Sequence, residues 1–188
     1  MNDHHLILGR LEDFITGRIL DDTHDERYRQ KVARLLVETK GYTRSDIRSE
    51  EKVLVKTGTK SAKVPVTFII YMDNRAAMLI QYGPGSLVTR YRPALALAKI
   101  AAPCQIPVVV VTNGENADIL DSVTGRVTAS GFDHIPSKAQ LAQRLHHHAW
   151  STVSKQHAQM ASRIVMAFEV DDRCPCDDTV CRWDDINS

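Results

Sequence analysis

The run Ile106-Pro107-Val108-Val109-Val110-Val111-Thr112 limits this chain's folding options more than any other segment. Alternate residues of a strand point to opposite faces, so a strand apolar at every position has no side to give to water and must be covered on both. Val64 to Met72 reads the same way. Two such strands call for a layered structure, a central sheet with helices on each face. The chain of 188 residues, 43% hydrophobic and 25% charged, is long enough to build that core in one domain without disulfides or metal.

The rest of the pattern supplies the layers. Lys52 to Lys56 and Ala76 to Tyr82 are further β-like runs. Pro84-Gly85-Ser86 breaks the latter, and the Ala/Leu-rich stretch Arg92 to Ala102 predicts a helix that returns the chain to the strand at Pro107. That is a β-α-β crossover, which joins parallel neighbours. Before the sheet, Val32, Leu35 and Leu36 with Tyr28 and Ala33 predict a helix over Asp25 to Lys40, stopped at Gly41. After it, Ser137 and Gln140 form a capping box, and Leu141, Leu145, Ala149 and Val153 open one or two helices ending near Phe168.

One short motif occurs twice. Asp13-Phe-Ile-Thr16-Gly17-Arg18 and Asp121-Ser-Val-Thr124-Gly125-Arg126 each predict a tight hairpin, with Asp accepting backbone N–H bonds and Gly supplying a positive φ. Gly58-Thr59-Lys60-Ser61 imitates the end of a phosphate loop, but Val55 stands where that loop needs its first glycine and no helix follows, so it reads as a hairpin loop. Asn113-Gly114 reads as a turn.

The formal net charge of +1 is a cancellation. Residues 1–26 carry two basic and seven acidic side chains, residues 27–63 eleven and four, and residues 169–188 two and seven. A basic middle lies between acidic ends, which leaves room for a local polyanion-binding surface. No apolar stretch approaches the roughly 20 residues a bilayer span needs, and Asp3, His4 and His5 stand where a signal peptide has a basic, then apolar, start; the expectation is a cytoplasmic protein without membrane partners.

Metal signals are incomplete. Cys174, Cys176 and Cys181 supply three of the four ligands of a tetrahedral zinc site, leaving the fourth to His157, an aspartate or another subunit; a cysteine-bearing solvated tail is the alternative. His146 to His148 on a helix would point in three directions and could not converge on one ion. No serine or cysteine is paired with a histidine in the manner of an activated nucleophile.

Lys40-Gly41-Tyr42 followed by Ile47 and Glu50, the strand Val66-Thr67-Phe68-Ile69-Ile70-Tyr71, the strand Met78-Leu79-Ile80-Gln81-Tyr82-Gly83, and Ile106 to Gly114 ending in Thr-Asn-Gly together resemble the N-terminal domain of type I restriction enzyme R subunits. The likeness runs from about Arg27 to Leu141. It implies a restriction-endonuclease-like fold of the PD-(D/E)xK superfamily: an α/β (α+β) architecture with a central mixed sheet flanked by helices. To this the sequence adds an N-terminal hairpin (1–26, against 27–141 for the core) and a C-terminal helical extension with an acidic, cysteine-bearing tail (142–188).

The resemblance also implies where catalysis would lie. Such nucleases place an acid on the second strand and Glu-x-Lys on the third, with Mg²⁺ held between carboxylates. Those positions here are Thr67, Gln81 and Gly83, and the upstream acid is Glu50 or Glu51. One carboxylate facing Thr and Gln is a poor seat for a hard cation. Lys63 shares a face with Thr67, but Asp73 falls past the strand in a turn, so no replacement set assembles. The expectation is a nuclease-like module without hydrolytic activity or resident cofactor. It would bind nucleic acid through the basic segment with Lys52 and Lys63 and through Arg90, Tyr91 and Arg92. The alternatives are an active Mg²⁺-dependent endonuclease with other ligands, or a module for protein interaction or homo-oligomerisation.

Overall fold

The computed structural model describes residues 7–171 and the pair 181–182. A small hairpin, β1 (Arg10–Glu12) and β2 (Ile19–Asp21), precedes helix α1 (His24–Arg34), whose last turns widen into a π-helical segment, Leu35–Thr39. Three antiparallel strands follow: β3 (Ile47–Thr57), β4 (Lys60–Met72) and β5 (Arg75–Tyr82). Helix α2 (Leu87–Ile100) leads to β6 (Val108–Thr112), β7 (Ala117–Asp121) and β8 (Val127–Ser130). Two helices close the described chain, α3 (Lys138–Leu145) and α4 (Lys155–Met166), the latter continuing as a π-helical turn over Ala167–Asp171. The pair β9 (Cys181–Arg182) adds to β4 at Ala62 and Lys63.

The sheet runs β3-β4-β5-β6-β7-β8, with β5 and β6 parallel and every other pair antiparallel. This is the mixed sheet the sequence predicts, with the crossover helix in the predicted place. All five residues of β6 are buried, because it lies between β5 and β7 and beneath helices on both faces. One face carries Phe68, Ile70, Met78, Ile80, Val108 and Val110 against Val32, Leu36 and Leu141 of α1 and α3. On the other, Ile69, Leu79 and Val109 meet Leu97 and Ala98 of α2 and Ala161 and Val165 of α4. No helix among the described residues is long and apolar enough to cross a membrane.

Both copies of the Asp-x-x-Thr-Gly-Arg motif form the same turn. Asp13 Oδ1 accepts from Thr16 N (2.6 Å) and Thr16 Oγ1 (2.9 Å), and Asp121 Oδ1 from Thr124 N (2.7 Å) and Thr124 Oγ1 (2.8 Å). Gly17 and Gly125 take φ of 74° and 70°.

Helix boundaries differ from the sequence pattern in two places. Helix α2 begins at Leu87, five residues before the predicted start at Arg92, so Pro93 lies inside it. The missing N–H bond is tolerated because the extra turn packs Leu87 and Tyr91 onto the core. Helix α3 stops at Leu145, so His146 to His148 lie in the turn beyond it, with the His146 and His147 rings in edge contact.

Lys40-Gly41-Tyr42 fixes the end of α1. The buried Tyr42 hydroxyl donates to Pro136 O (2.9 Å), Lys40 Nζ to Asp133 O (2.8 Å) and Lys138 N to Lys40 O (2.8 Å), so this tripeptide docks the helix onto the segment that leads into α3. Burial and the nearby Asp46 charge hold the Tyr42 phenol far above its ordinary pKa.

Candidate functional site

The positions of interest lie where β4 parts from β5. Between these strands the backbone ladder runs from Met72/Arg75 to Phe68/Ile80. Beyond that point side chains replace it. Gln81 Oε1 accepts from Thr67 N (3.3 Å) while Gln81 Nε2 donates to Pro65 O (3.3 Å), and Thr67 Oγ1 accepts from Tyr82 N (2.9 Å). Thr67 and Gln81 are only 9% and 7% exposed. The gap needs one donor and one acceptor on the same side chain, which an amide provides and a carboxylate does not.

Glu50 lies opposite Thr67 on the other side of β4, bracketed by the pairs Ser49↔Phe68 and Glu51↔Val66. Its φ is 56°, a left-handed conformation uncommon for a residue with a side chain. There the β3–β4 ribbon changes faces: Ile47 and Phe68 point to the α1 layer, whereas Val55, Val64 and Val66 point to the α4 layer. The Glu50 carboxylate accepts from Arg18 Nη2 at 2.8 Å and lies 3.5 Å from Arg29 Nη1.

Arg29 is the hub of a network the sequence reading missed. Its guanidinium is within 3.3 Å of Asp13, 3.4 Å of Glu26 and 3.5 Å of Glu50, with its side chain 16% exposed. Gln30 Nε2 donates to both Asp13 (3.0 Å) and Glu26 (2.6 Å). Burial pushes the Glu26 carboxyl up, aided by the Asp13 and Glu50 charges, against the opposing pull of Gln30 and Arg29. Burial acts on Asp13 in the same direction, but hydrogen bonds from Thr16 and Gln30 and the Arg29 charge outweigh it and hold Asp13 below the usual carboxylate range. The one sequence signal was Glu26-x-x-Arg29, an i,i+3 pair on a helix; the contributions of Asp13 and Glu50 depend on the tertiary fold.

The residue set does not fit Mg²⁺. Three carboxylates converge, but the cation among them is a guanidinium, and the oxygens of Thr67 and Gln81 are engaged with backbone N–H groups. Among the described residues no group of three or more His, Cys, Asp or Glu could hold a metal ion. Cys174, Cys176 and the side chain of Cys181 lie outside the described residues; His157 is on α4.

Gly83 is filled from outside. A Cβ built there would lie 3.0 Å from Arg90 Nε and 3.1 Å from its Cζ, so the Arg90 side chain covers the place where a residue-83 side chain would start. Arg90 is thereby joined to the Gln81–Gly83 strand end, but its neighbours go elsewhere. The Tyr91 hydroxyl donates to Asp118 Oδ2 (2.5 Å); burial and that bond push its phenol up to about 12. The Arg92 guanidinium lies 5.8 Å over the Phe168 ring beyond α4. Lys52 is exposed on the face of the β3–β4 hairpin that carries Leu54 and Lys56, opposite buried Val55. Lys63 faces Leu54 across the hairpin and pairs by backbone with Cys181.

The elements from α1 to the turn after β8 coincide with a family match. The profile described as type I restriction enzyme R protein N terminus covers residues 24–136. The chain belongs to this family. No curated protein and no solved structure matches it. Relative to the type I R-subunit N-terminal profile, the β1–β2 hairpin, α3 and α4 are additions; the hairpin reaches the site, supplying Arg18 and Asp13 to the carboxylate cluster, while α4 packs under the β3–β4 ribbon.

Proposed function

We propose that this chain is a nuclease-like, nucleic-acid-binding domain without hydrolytic activity. The observation that carries the reading is the pair of bonds from Gln81 to Thr67 N and Pro65 O: the residue where the family resemblance puts a metal-binding Glu splints the gap between two strands. Glu50 held by Arg18 and Arg29, and Arg90 over Gly83, support the same conclusion from the neighbouring positions.

The binding half of the proposal rests on the outer face of the β3–β4 hairpin, where Lys52 and Lys56 stand exposed beside Leu54. Lysines that pair with phosphates give affinity without base readout and release counterions, so binding weakens steeply with salt. Labelled double- and single-stranded DNA and RNA titrated at low salt should bind the protein, and Lys52→Ala with Lys56→Ala should weaken binding and lower the salt slope, by about one for each phosphate no longer neutralised. Plasmid incubated with Mg²⁺ or Mn²⁺ should remain uncut. Metal-dependent cleavage abolished by Glu50→Ala would overturn the inactive reading, and absence of any low-salt binding would overturn the nucleic-acid reading.

A further inference from the structure

Helices α2 and α4 pack side by side over one face of the sheet, joined through Ala94, Leu97 and Ala98 on one and Ala161, Val165 and Met166 on the other. Toward solvent they part, leaving a groove of about 350 Å³. Its apolar lining includes Val88 and Leu95 of α2 and Met160 and Ile164 of α4. Val88 is 67% exposed and Met160 53%, large apolar side chains left to water on the two walls of one concave surface. The lining on α2 extends to Lys99, so the groove follows three turns of that helix, roughly 16 Å at 1.5 Å per residue.

Among the described residues that line the groove, the charged side chains, Arg92 and Lys99, have one sign, and His157 lies with them. Leu87–Ile100 contains three basic residues and Lys155–Met166 two, and neither helix contains an Asp or Glu. The first carboxylate after α4 is Glu169, which is buried. In a chain with nearly equal numbers of acids and bases, two adjacent acid-free helices flanking an apolar trough define a complement: apolar side chains along one stripe with carboxylates beside it. A nucleic acid would satisfy the rim and leave Val88 and Met160 uncovered. Tyr91, the aromatic ring in the wall, has its hydroxyl committed to Asp118.

We propose that the α2–α4 groove is a docking site for an acidic amphipathic helix of a partner protein. Apolar anchors at i, i+3 or i+4, and i+7 would fill the trough between Val88 and Met160, with flanking Glu or Asp facing Arg92 and Lys99. The groove includes neither Gln81 nor Lys52 and Lys56, so it is distinct from the proposed hairpin surface; Tyr91 and Arg92 in its wall belong to the nucleic-acid set expected from the sequence, and the test below separates the two uses.

The probe is a fluorescein-labelled synthetic helix of three to four turns with Leu at those spacings and Glu on both flanks, titrated against the full chain by anisotropy. A scrambled peptide of the same composition serves as control. The expected result is saturable binding, weakened about tenfold or more by scrambling, by Met160→Asp and by Lys99→Glu. Methyl NMR signals of Val88, Met160 and Ile164 should shift on saturation. Both substitutions are at sites not fully buried, and unchanged thermal melts will establish that the variants fold. No saturable binding, or binding indifferent to both substitutions, overturns the proposal. So does each other occupant: binding seen only after residues 172–188 are removed, which assigns the groove to the chain's own tail; a self-association lost in Met160→Asp, which assigns it to a second copy; or DNA binding abolished by Met160→Asp, which assigns it to nucleic acid.

Discussion

At the scale of single residues, Gln81 is the most informative position. Its amide accepts from Thr67 N and donates to Pro65 O at once, which an ionised carboxylate of the same shape cannot do. Gln81→Glu keeps the shape and the acceptor but turns a carboxylate oxygen toward a carbonyl in a buried place. Leaving a buried acceptor unsatisfied costs about 1–3 kcal/mol, so urea denaturation at neutral pH should show a loss of that size. The new carboxyl, disfavoured in its charged form, has a raised folded pKa; the loss is therefore full above that pKa and shrinks as the pH falls and the group protonates, recovering a donor. If the proposed reading holds, the same variant should also leave plasmid uncut in Mg²⁺, since Arg90 still covers Gly83 and Glu50 is still paired. A Gln81→Glu protein as stable as the parent would show that the amide is not a splint. That Thr67, Gln81 and Gly83 stand where the resemblance puts the nuclease residues is legible in the sequence; the bonds Thr67 and Gln81 make are not, because they depend on where β4 separates from β5.

At the scale of elements, the two Asp-x-x-Thr-Gly-Arg hairpins are a controlled comparison. Both were legible as turns, since an Asp three residues before a Thr and four before a Gly fixes its own backbone bonds. What the sequence could not reveal is that one turn is local and the other is part of the tertiary structure. Asp121 bonds within its own turn, whereas Asp13 adds Gln30 (3.0 Å) and Arg29 (3.3 Å) of α1 and is 2% exposed. Asp121→Ala should therefore cost about 1 kcal/mol, as when a capping side chain is removed, and Asp13→Ala about 3 kcal/mol or more, since it leaves Arg29 with a missing partner in a mostly buried cluster. Both carboxyls are held below their ordinary pKa in the fold. A depressed folded pKa gives stability that is present above the unfolded value and lost as pH falls through the folded one, so the gap between parent and each variant should narrow below about pH 4. Equal losses for the two substitutions at pH 7 would remove the distinction.

At the scale of the whole molecule, the element order and the layered core follow from runs such as Val108 to Val111, apolar at every position and hence covered on both faces. The place of α4 was not legible: its apolar face shows in the sequence, but a helical period does not say which surface it will cover, and only the fold puts Ala161 and Val165 against the same cluster as α2. That placement also refines the charge argument. Within the acidic C-terminal segment, the pair Cys181–Arg182 is described as β9, against Ala62 and Lys63 on β4 in the basic part of the chain. Glu169 and Val170 are buried at the end of α4, so a truncation that tests the effect of this charge must end after them. Removing residues 172–188 takes away five aspartates and two arginines and leaves the core complete. If those acids compete with phosphate for the hairpin, the truncated protein should bind a DNA duplex more tightly, with the gain largest at low salt and fading as ionic strength rises, because screening weakens the tail and the phosphates alike. Lys52→Ala with Lys56→Ala in the truncated background should abolish the gain. A truncated protein with unchanged affinity and salt slope would mean that the acids of residues 172–188 do not guard the basic face.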